Sequence, residues 1–137
     1  MTSTVSTLTD MLGGLRPSLS PDKWVFTTLP RETLPDLSDP LLFALIRESE
    51  GLTVIQQVND RPAEESAAFA RITLQVYSDL AAVGLTAAVS QALATEGICA
   101  NMVAGYHHDH VFVPYVQAEA AMRCLEALSA AFANPAT

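Results

Sequence analysis

The chain has 137 residues, half of them hydrophobic, and carries 7 Lys or Arg against 15 Asp or Glu, for a net charge of −8. This length predicts one domain or two very small ones, and the hydrophobic content excludes a chain that is disordered throughout. Nucleic acids and anionic membrane surfaces are bound through clustered cations, which the sequence lacks. We therefore expect neither as a partner.

Two further features predict where the protein resides and the state of its thiols. Residues 1–12 lack the basic region and apolar core of a signal peptide. No apolar run approaches the ~18 residues that span a bilayer. We therefore expect a soluble cytoplasmic protein. Cys99 and Cys124 form no CxxC pair, and two cysteines cannot build a disulfide framework, so buried free thiols are expected.

The first half of the chain is rich in turns, with six of the eight prolines in residues 1–66. Thr7 or Thr9 is placed to cap a short helix through Leu12 that Gly13 and Gly14 close. β-Branched, aromatic and turn-forming residues then predict a strand at 24–29, a loop at 34–40, and a hairpin of 43–47 with 52–58. The polar, proline-containing segment 59–66 is the predicted boundary between the halves.

The second half has a clearer pattern, and its order is β-α-β-β-α. Apolar residues alternate with polar ones from Ala70 to Val76, which predicts a strand with one buried face. Leu85 begins an apolar stripe of helical spacing that ends at Gly97. The remaining predicted elements are strands at 98–104 and 111–114 around a turn at 106–109, and a helix at 118–132.

This order predicts a ferredoxin-like unit that lacks its final strand. The first half has strands but few helices, so we interpret the two halves as incomplete copies of one unit. We expect the amino-terminal helix and a strand at 15–19 to complete one of the two sheets.

One candidate binding site follows from the strand-to-helix turn before Leu85. Gly84 has no Cβ and allows a close approach, and the unpaired N–H groups of a helix start suit a carboxylate. An ordinary turn in which Gly84 only relieves packing is the alternative. Asn101, on the following strand, carries an amide that can both donate and accept hydrogen bonds to a ligand. A solvent-facing strand residue is the alternative there.

The segment Tyr106-His107-His108-Asp109-His110 suggests a metal site because imidazole and carboxylate groups bind zinc. Its spacing argues against one: in an extended chain His108 and His110 point to one face and His107 to the other, and no fourth ligand is evident. GxSxG, Walker, GxGxxG and HExxH motifs are also absent. We therefore expect no metal, no cofactor and no enzymatic activity.

Several stretches of the sequence resemble a known family. RITLQVYSDLAAVGLTAAVSQALATEGICANMVAGYHHDHVFVP, at 71–114, is similar to the ACT domain, and VFTTL and FALIRESEGLTVIQQV resemble a degenerate copy. The likeness is to the subgroup of small bacterial proteins with two tandem ACT-like units. These in turn resemble the regulatory ACT units of aspartate kinases and amino-acid-sensing ACT proteins. It implies an α+β class with a ferredoxin-like ACT fold, βαββαβ, in two units: a degenerate one at 1–64 and an ACT domain at 67–132.

The resemblance also implies a function. ACT units bind an amino acid or similar small effector, often at an interface between units, so it predicts a regulatory protein that is not an enzyme and forms a homodimer through its ACT units. The effector loop would supply Ser78, Asp79, Val83, Gly84, Leu85 and Thr86, and the next strand Asn101 and Met102. Asp109 would reach a cationic group of an effector in a neighbouring unit; an ordinary turn aspartate is the alternative for this residue. The alternatives are a protein–protein interaction module without a ligand and a metal-binding enzyme using His107 to His110.

Overall fold

The computed structural model describes residues 7–58, 68–76 and 81–133. Within them lie the helices α1 (Leu8–Gly13), α2 (Leu85–Thr95) and α3 (Ala118–Phe132), a single-turn 3₁₀ helix (Tyr115–Gln117), and the strands β1 (Pro17–Leu19), β2 (Lys23–Leu29), β3 (Leu42–Arg47), β4 (Leu52–Val58), β5 (Phe69–Leu74), β6 (Asn101–Ala104) and β7 (Asp109–Pro114). None of the helices in this part of the chain has the length and apolar character to cross a bilayer.

All the strands belong to one antiparallel sheet in the order β3-β4-β2-β5-β7-β6, with β1 also paired to β5. The elements β5, α2, β6, β7 and α3 form the predicted β-α-β-β-α unit. Its missing strand comes from the amino terminus, because Pro17 pairs with Leu74 and Leu19 with Ile72. The α+β class and the ferredoxin-like strand arrangement are thereby confirmed.

The first unit is the simpler one. β2, β3 and β4 repeat the arrangement of β5, β6 and β7, but the connection from β2 to β3 holds turns and irregular chain where the second unit has α2. The two units join because Trp24 of β2 pairs with Phe69 of β5. The predicted boundary at 59–66 lies outside the described residues.

One face of the sheet is covered by all three helices. The buried alternation predicted on β5 is observed, since Ala70, Ile72 and Leu74 are fully buried and Val76 nearly so. Residues of the three helices, together with Leu15 just after α1, pack on them. The main contributors are Met11, Leu12, Leu15, Leu85, Val89, Leu93, Ala121 and Leu125. α1 lies so close to α3 that a Cβ on Gly13 would sit 2.7 Å from the Phe132 carbonyl oxygen.

α2 begins and ends at glycines, as the sequence predicts. Gly84 is its N-cap at φ +104°, and Gly97 follows its end at φ +72°. At the end of α2 the Ile98 N–H donates to the Leu93 carbonyl at 2.9 Å and the Gly97 N–H to the Ala94 carbonyl at 2.9 Å, which is a Schellman motif.

The other face carries a second core that the sequence pattern did not predict. Phe43 of β3 lies 5.7 Å from Phe112 of β7, ring centroid to ring centroid, although three strands separate β3 from β7 in the sheet order. The sheet therefore curls around an aromatic cluster in which Phe112 and Ile55 are fully buried and Trp24 is 5% exposed.

Neither cysteine is fully buried, so the prediction of two buried thiols is wrong. Both are free thiols, but Cys99 is exposed, because it precedes β6 rather than lying within it. Cys124 is partly buried on α3, and this burial raises the pKa of its thiol.

Candidate functional site at the start of helix α2

The first turn of α2 presents backbone donors that no side chain of the described residues caps. Gly84 provides no capping atom, and the first bond of the helix runs from the Ala88 N–H to the Gly84 carbonyl at 2.9 Å. The N–H groups of Leu85, Thr86 and Ala87 therefore have no acceptor within the helix. Together with the positive end of the helix dipole, they can bind a carboxylate.

Gly84 is also a packing residue. A Cβ at this position would lie 3.0 Å from Cδ2 of Leu8 on α1. The space left by the missing side chain of Gly84 is therefore occupied by the Leu8 side chain. The positive φ of Gly84 is a second reason for glycine here. Of the adjacent predicted site residues, Leu85 is buried in the core, whereas Val83 is 86% exposed and Thr86 is exposed.

Asp109 lies at the same end of the sheet. As the first residue of β7, it pairs with the last residue of β5, Leu74, and the last residue of β6, Ala104. From Leu74 the chain continues towards α2, so Asp109 and the start of α2 occupy the loop end of the helix-covered unit. Burial raises the pKa of the Asp109 carboxyl, and the charge of His108 opposes the rise. A partly buried carboxylate of this kind favours a cationic partner.

Asn101 is not brought together with these residues within one chain. It pairs with Phe112 on the face away from the helices, whereas Met102 pairs with Val111 and packs against the helix-side core. Asn101 is exposed, and its Nδ2 lies 3.9 Å from Cys99 Sγ. Ser78 and Asp79 lie outside the described residues.

The histidines have separate structural surroundings. The Gly105 N–H donates to the His108 carbonyl at 2.9 Å and closes the hairpin. His110 Nδ1 lies 2.9 Å from Thr73 Oγ1, and its ring contacts Phe43. Burial, assisted by the charges of Arg71 and His108, lowers the pKa of His110. Within the described ranges no group of three or more His, Cys, Asp and Glu is arranged to hold a metal ion.

One polar residue of interest was not singled out from the sequence. Arg71 alternates with the buried residues of β5, a pattern that predicts a solvent-facing side chain. Its guanidinium carbon instead lies 4.4 Å from the ring centroid of Trp24 and 4.9 Å from that of Phe43. The sequence held one indication of this environment. Arg71 is one of only seven basic residues and lies in a predicted strand, and aromatic residues lie in other predicted strands.

Comparisons with known proteins agree with this architecture. Family models described as ACT domain match residues 3–68 and residues 70–127. The structure of a Vibrio cholerae protein of unknown function, described as a possible transport protein, is similar at 39% identity and a TM-score of 0.70 over 87% of this chain and 93% of that one. The search of curated proteins found no match.

Two more distant structures show the same fold. An Agrobacterium tumefaciens protein has 15% identity and a TM-score of 0.62, over 79% of this chain and 84% of its own. The ligand-free regulatory subunit of aspartate kinase from Thermus thermophilus has 15% identity and a TM-score of 0.58, over 84% of this chain and 98% of its own. With two family matches in tandem on a ferredoxin-like sheet, the chain belongs to the ACT-domain family.

Proposed function

We propose that this protein is a non-catalytic sensor that binds an amino acid at the start of α2. ACT domains are regulatory modules, and their family membership supports a role in small-molecule binding. The observation that carries the proposal is the first turn of α2, which no described side chain caps and which lies at the same end of the sheet as the partly buried Asp109. The backbone N–H groups would bind the effector carboxylate, and Asp109 its ammonium group.

Asn101 takes part in this proposal only across an interface. Because it lies on the opposite face of its own sheet, it can meet an effector held by α2 only if the effector site belongs to another copy. β6 is the last strand of the described sheet, and such an edge is a common place for two sheets to pair. We therefore propose a homodimer in which β6 strands meet.

A thermal-shift screen against the amino acids tests the function. A ligand at about 100 times its dissociation constant stabilises the folded state by about 2.7 kcal/mol. We expect one amino acid, or a small group of similar ones, to raise the melting temperature. If no amino acid does so, amino-acid sensing is wrong.

Two glycine variants place the site. Gly84→Ala and Gly97→Ala both put a side chain at positive φ, each at one end of α2, and a Cβ on Gly97 meets no atom within 4 Å. Both variants should lose stability, about 1 kcal/mol or more. Only Gly84→Ala should also lose the ligand-induced shift. Equal retention by both variants would move the site away from α2.

A protein–protein interaction module is a second candidate. Leu34 is 90% exposed and Leu37 is 74% exposed in the connection between β2 and β3, where the degenerate unit has no helix. Two leucines exposed to this degree and only three residues apart could form an apolar contact for a protein partner. The double variant Leu34→Ser, Leu37→Ser should then abolish self-association in analytical ultracentrifugation, and unchanged association would exclude these leucines from the contact between copies.

A further inference from the structure

The face of the sheet away from the helices contains an arginine with an unusual environment. Arg71 pairs with Phe112 in the sheet, and its guanidinium group lies against Trp24 and Phe43. Burial lowers the pKa of Arg71, and attraction to Asp22 partly offsets the effect. Asp22 also accepts a hydrogen bond from the Ser20 hydroxyl, with 3.4 Å between Ser20 Oγ and Asp22 Oδ2.

Two buried nitrogen donors on this face of the sheet have no acceptor among the described residues. Arg71 Nε and Trp24 Nε1 are both buried, and among the described residues neither has a hydrogen-bond partner. Trp24 is 95% buried, so bulk water does not solvate its indole N–H. Buried donors without acceptors are uncommon in folded proteins, because no hydrogen bond then compensates the free-energy cost of removing the donor from water. Two of them in one stacked pair of side chains mark a place where an added acceptor would be stabilising.

The chemistry of the donors limits that acceptor to an anion with an apolar body. A guanidinium group matches the two oxygens of a carboxylate, and an indole N–H donates to the same kind of atom. The surrounding rings of Phe26, Phe43 and Phe112 favour an apolar body. A phosphate dianion would lose more hydration on entering this aromatic surface than a carboxylate would.

We propose that Arg71 and Trp24 form a second ligand site, for the carboxylate of a small organic acid with an apolar body. Arg71 is only partly buried, whereas both donor nitrogens are fully covered, so the Arg71 side chain would have to shift outward to admit the carboxylate. The carboxylate would then accept hydrogen bonds from Arg71 Nε and Trp24 Nε1. This site is separate from the start of α2, because Arg71 and the helices lie on opposite faces of β5.

The chain offers a direct reporter, since Trp24 is its only tryptophan. We would titrate the full-length protein with benzoate, butanoate and inorganic phosphate at equal ionic strength and follow tryptophan fluorescence, excited where benzoate does not absorb. Benzoate should cause a saturable change and bind at least about tenfold more tightly than phosphate.

The variant Arg71→Lys keeps the positive charge but loses the planar guanidinium group with its paired N–H donors. It should therefore weaken benzoate binding at least about tenfold. Arg123→Lys on α3 is the matched control and should bind within about twofold of the original protein.

Three results would overturn this proposal. The first is the absence of a saturable response to benzoate or butanoate, and the second is equal binding by Arg71→Lys. The third is a response that appears only in a Glu64→Gln, Glu65→Gln variant, which would mean that the chain's own carboxylates occupy the site. If Arg71→Lys does not fold, the single indole N–H resonance of the original protein decides: it should move on addition of benzoate, and a fixed resonance contradicts the site. Gly84→Ala should bind benzoate normally, which separates this test from that of the amino-acid site.

Discussion

The two faces of the sheet are built from different side chains and covered in different ways. On one face, aliphatic residues of β5 and β7 pack beneath three helices. On the other, Trp24, Phe43 and Phe112 pack against one another because the sheet curls, and Arg71 and His110 lie among them. The first face resembles an ordinary α+β core, whereas the second combines partly buried polar side chains with aromatic rings.

This difference shows how a degenerate unit is stabilised. The described chain has no helix between β2 and β3 that could cover the first unit. Its apolar side chains are instead buried against strands of the second unit, because the sheet curls. The helix-covered face then contains the start of α2 with Asp109, and the aromatic face contains the Arg71 donors. The two proposed ligand sites thus depend on different cores and can be separated by mutation.

The largest expected effect tests whether the aromatic face is a true core. Phe112→Ala should lower the free energy of unfolding by about 3–5 kcal/mol, comparable to Leu93→Ala on the helix side at about 2–5 kcal/mol, because both side chains are fully buried. Urea unfolding followed by circular dichroism measures both. Phe132→Ala, at a 41% exposed position, is the control and should cost much less. A Phe112→Ala loss below about 1 kcal/mol would show that the aromatic face is not packed as a core.

A smaller effect tests the helix-covered face alone. Gly13→Ala places a methyl group 2.7 Å from the Phe132 carbonyl oxygen, so α1 must move away from α3, and we expect a loss of about 1–3 kcal/mol. Gly14→Ala is the adjacent control, since its methyl group would meet the Asp10 carbonyl oxygen at 3.4 Å, an ordinary contact. The same unfolding measurement compares the two, and equal stability of both variants would refute the close approach of α1 to α3.

Substitution of Asp109 should stabilise the fold, unlike the preceding substitutions, and by an amount that depends on pH. Burial raises its folded pKa above the ordinary 3.8, so its protonated form favours the fold at acidic pH, and that contribution is lost as pH rises through the folded pKa. Asp109→Asn should therefore give a small gain in stability at neutral pH that shrinks on acidification. The same variant should weaken binding of an amino acid. A loss of stability at neutral pH would mean that the carboxylate has a stabilising partner.

The smallest effect concerns His110 on the aromatic face. Its pKa lies below the ordinary 6.5 because of burial first and the charges of Arg71 and His108 second. Stability from neutral His110 is therefore present above 6.5 and is lost as pH falls through that value towards the folded pKa. NMR titration of the imidazole should show a higher His110 pKa in Arg71→Gln than in Arg71→Lys, which keeps the charge. Identical values would remove Arg71 from the electrostatics of His110.

Local signals in the sequence were sufficient for most of the elements. Glycines at 84 and 97 mark the ends of α2 because each requires positive φ, and the alternation from Ala70 to Leu74 marks β5 because one face is buried. The strand at the amino terminus was also expected to complete a sheet, and its pairing with β5 shows which one.

Features that depend on distant contacts were not predictable. Trp24, Phe43 and Phe112 are far apart in the chain, and alternation describes the two sides of a single strand but not the curling of a whole sheet. For the same reason Arg71 was expected in solvent. At the candidate site the sequence indicated a glycine before a helix but not that Leu8 packs on it, since that contact depends on how α1 docks.

The central claim is that an amino acid binds the first turn of α2, and backbone amide NMR tests it most directly. The amino acid with the largest thermal shift should move the Leu85 and Thr86 amide resonances in a saturable way and leave that of Gly97, at the other end of the helix, in place. If saturating amino acid leaves the Leu85 and Thr86 resonances unchanged, the account of this site is contradicted.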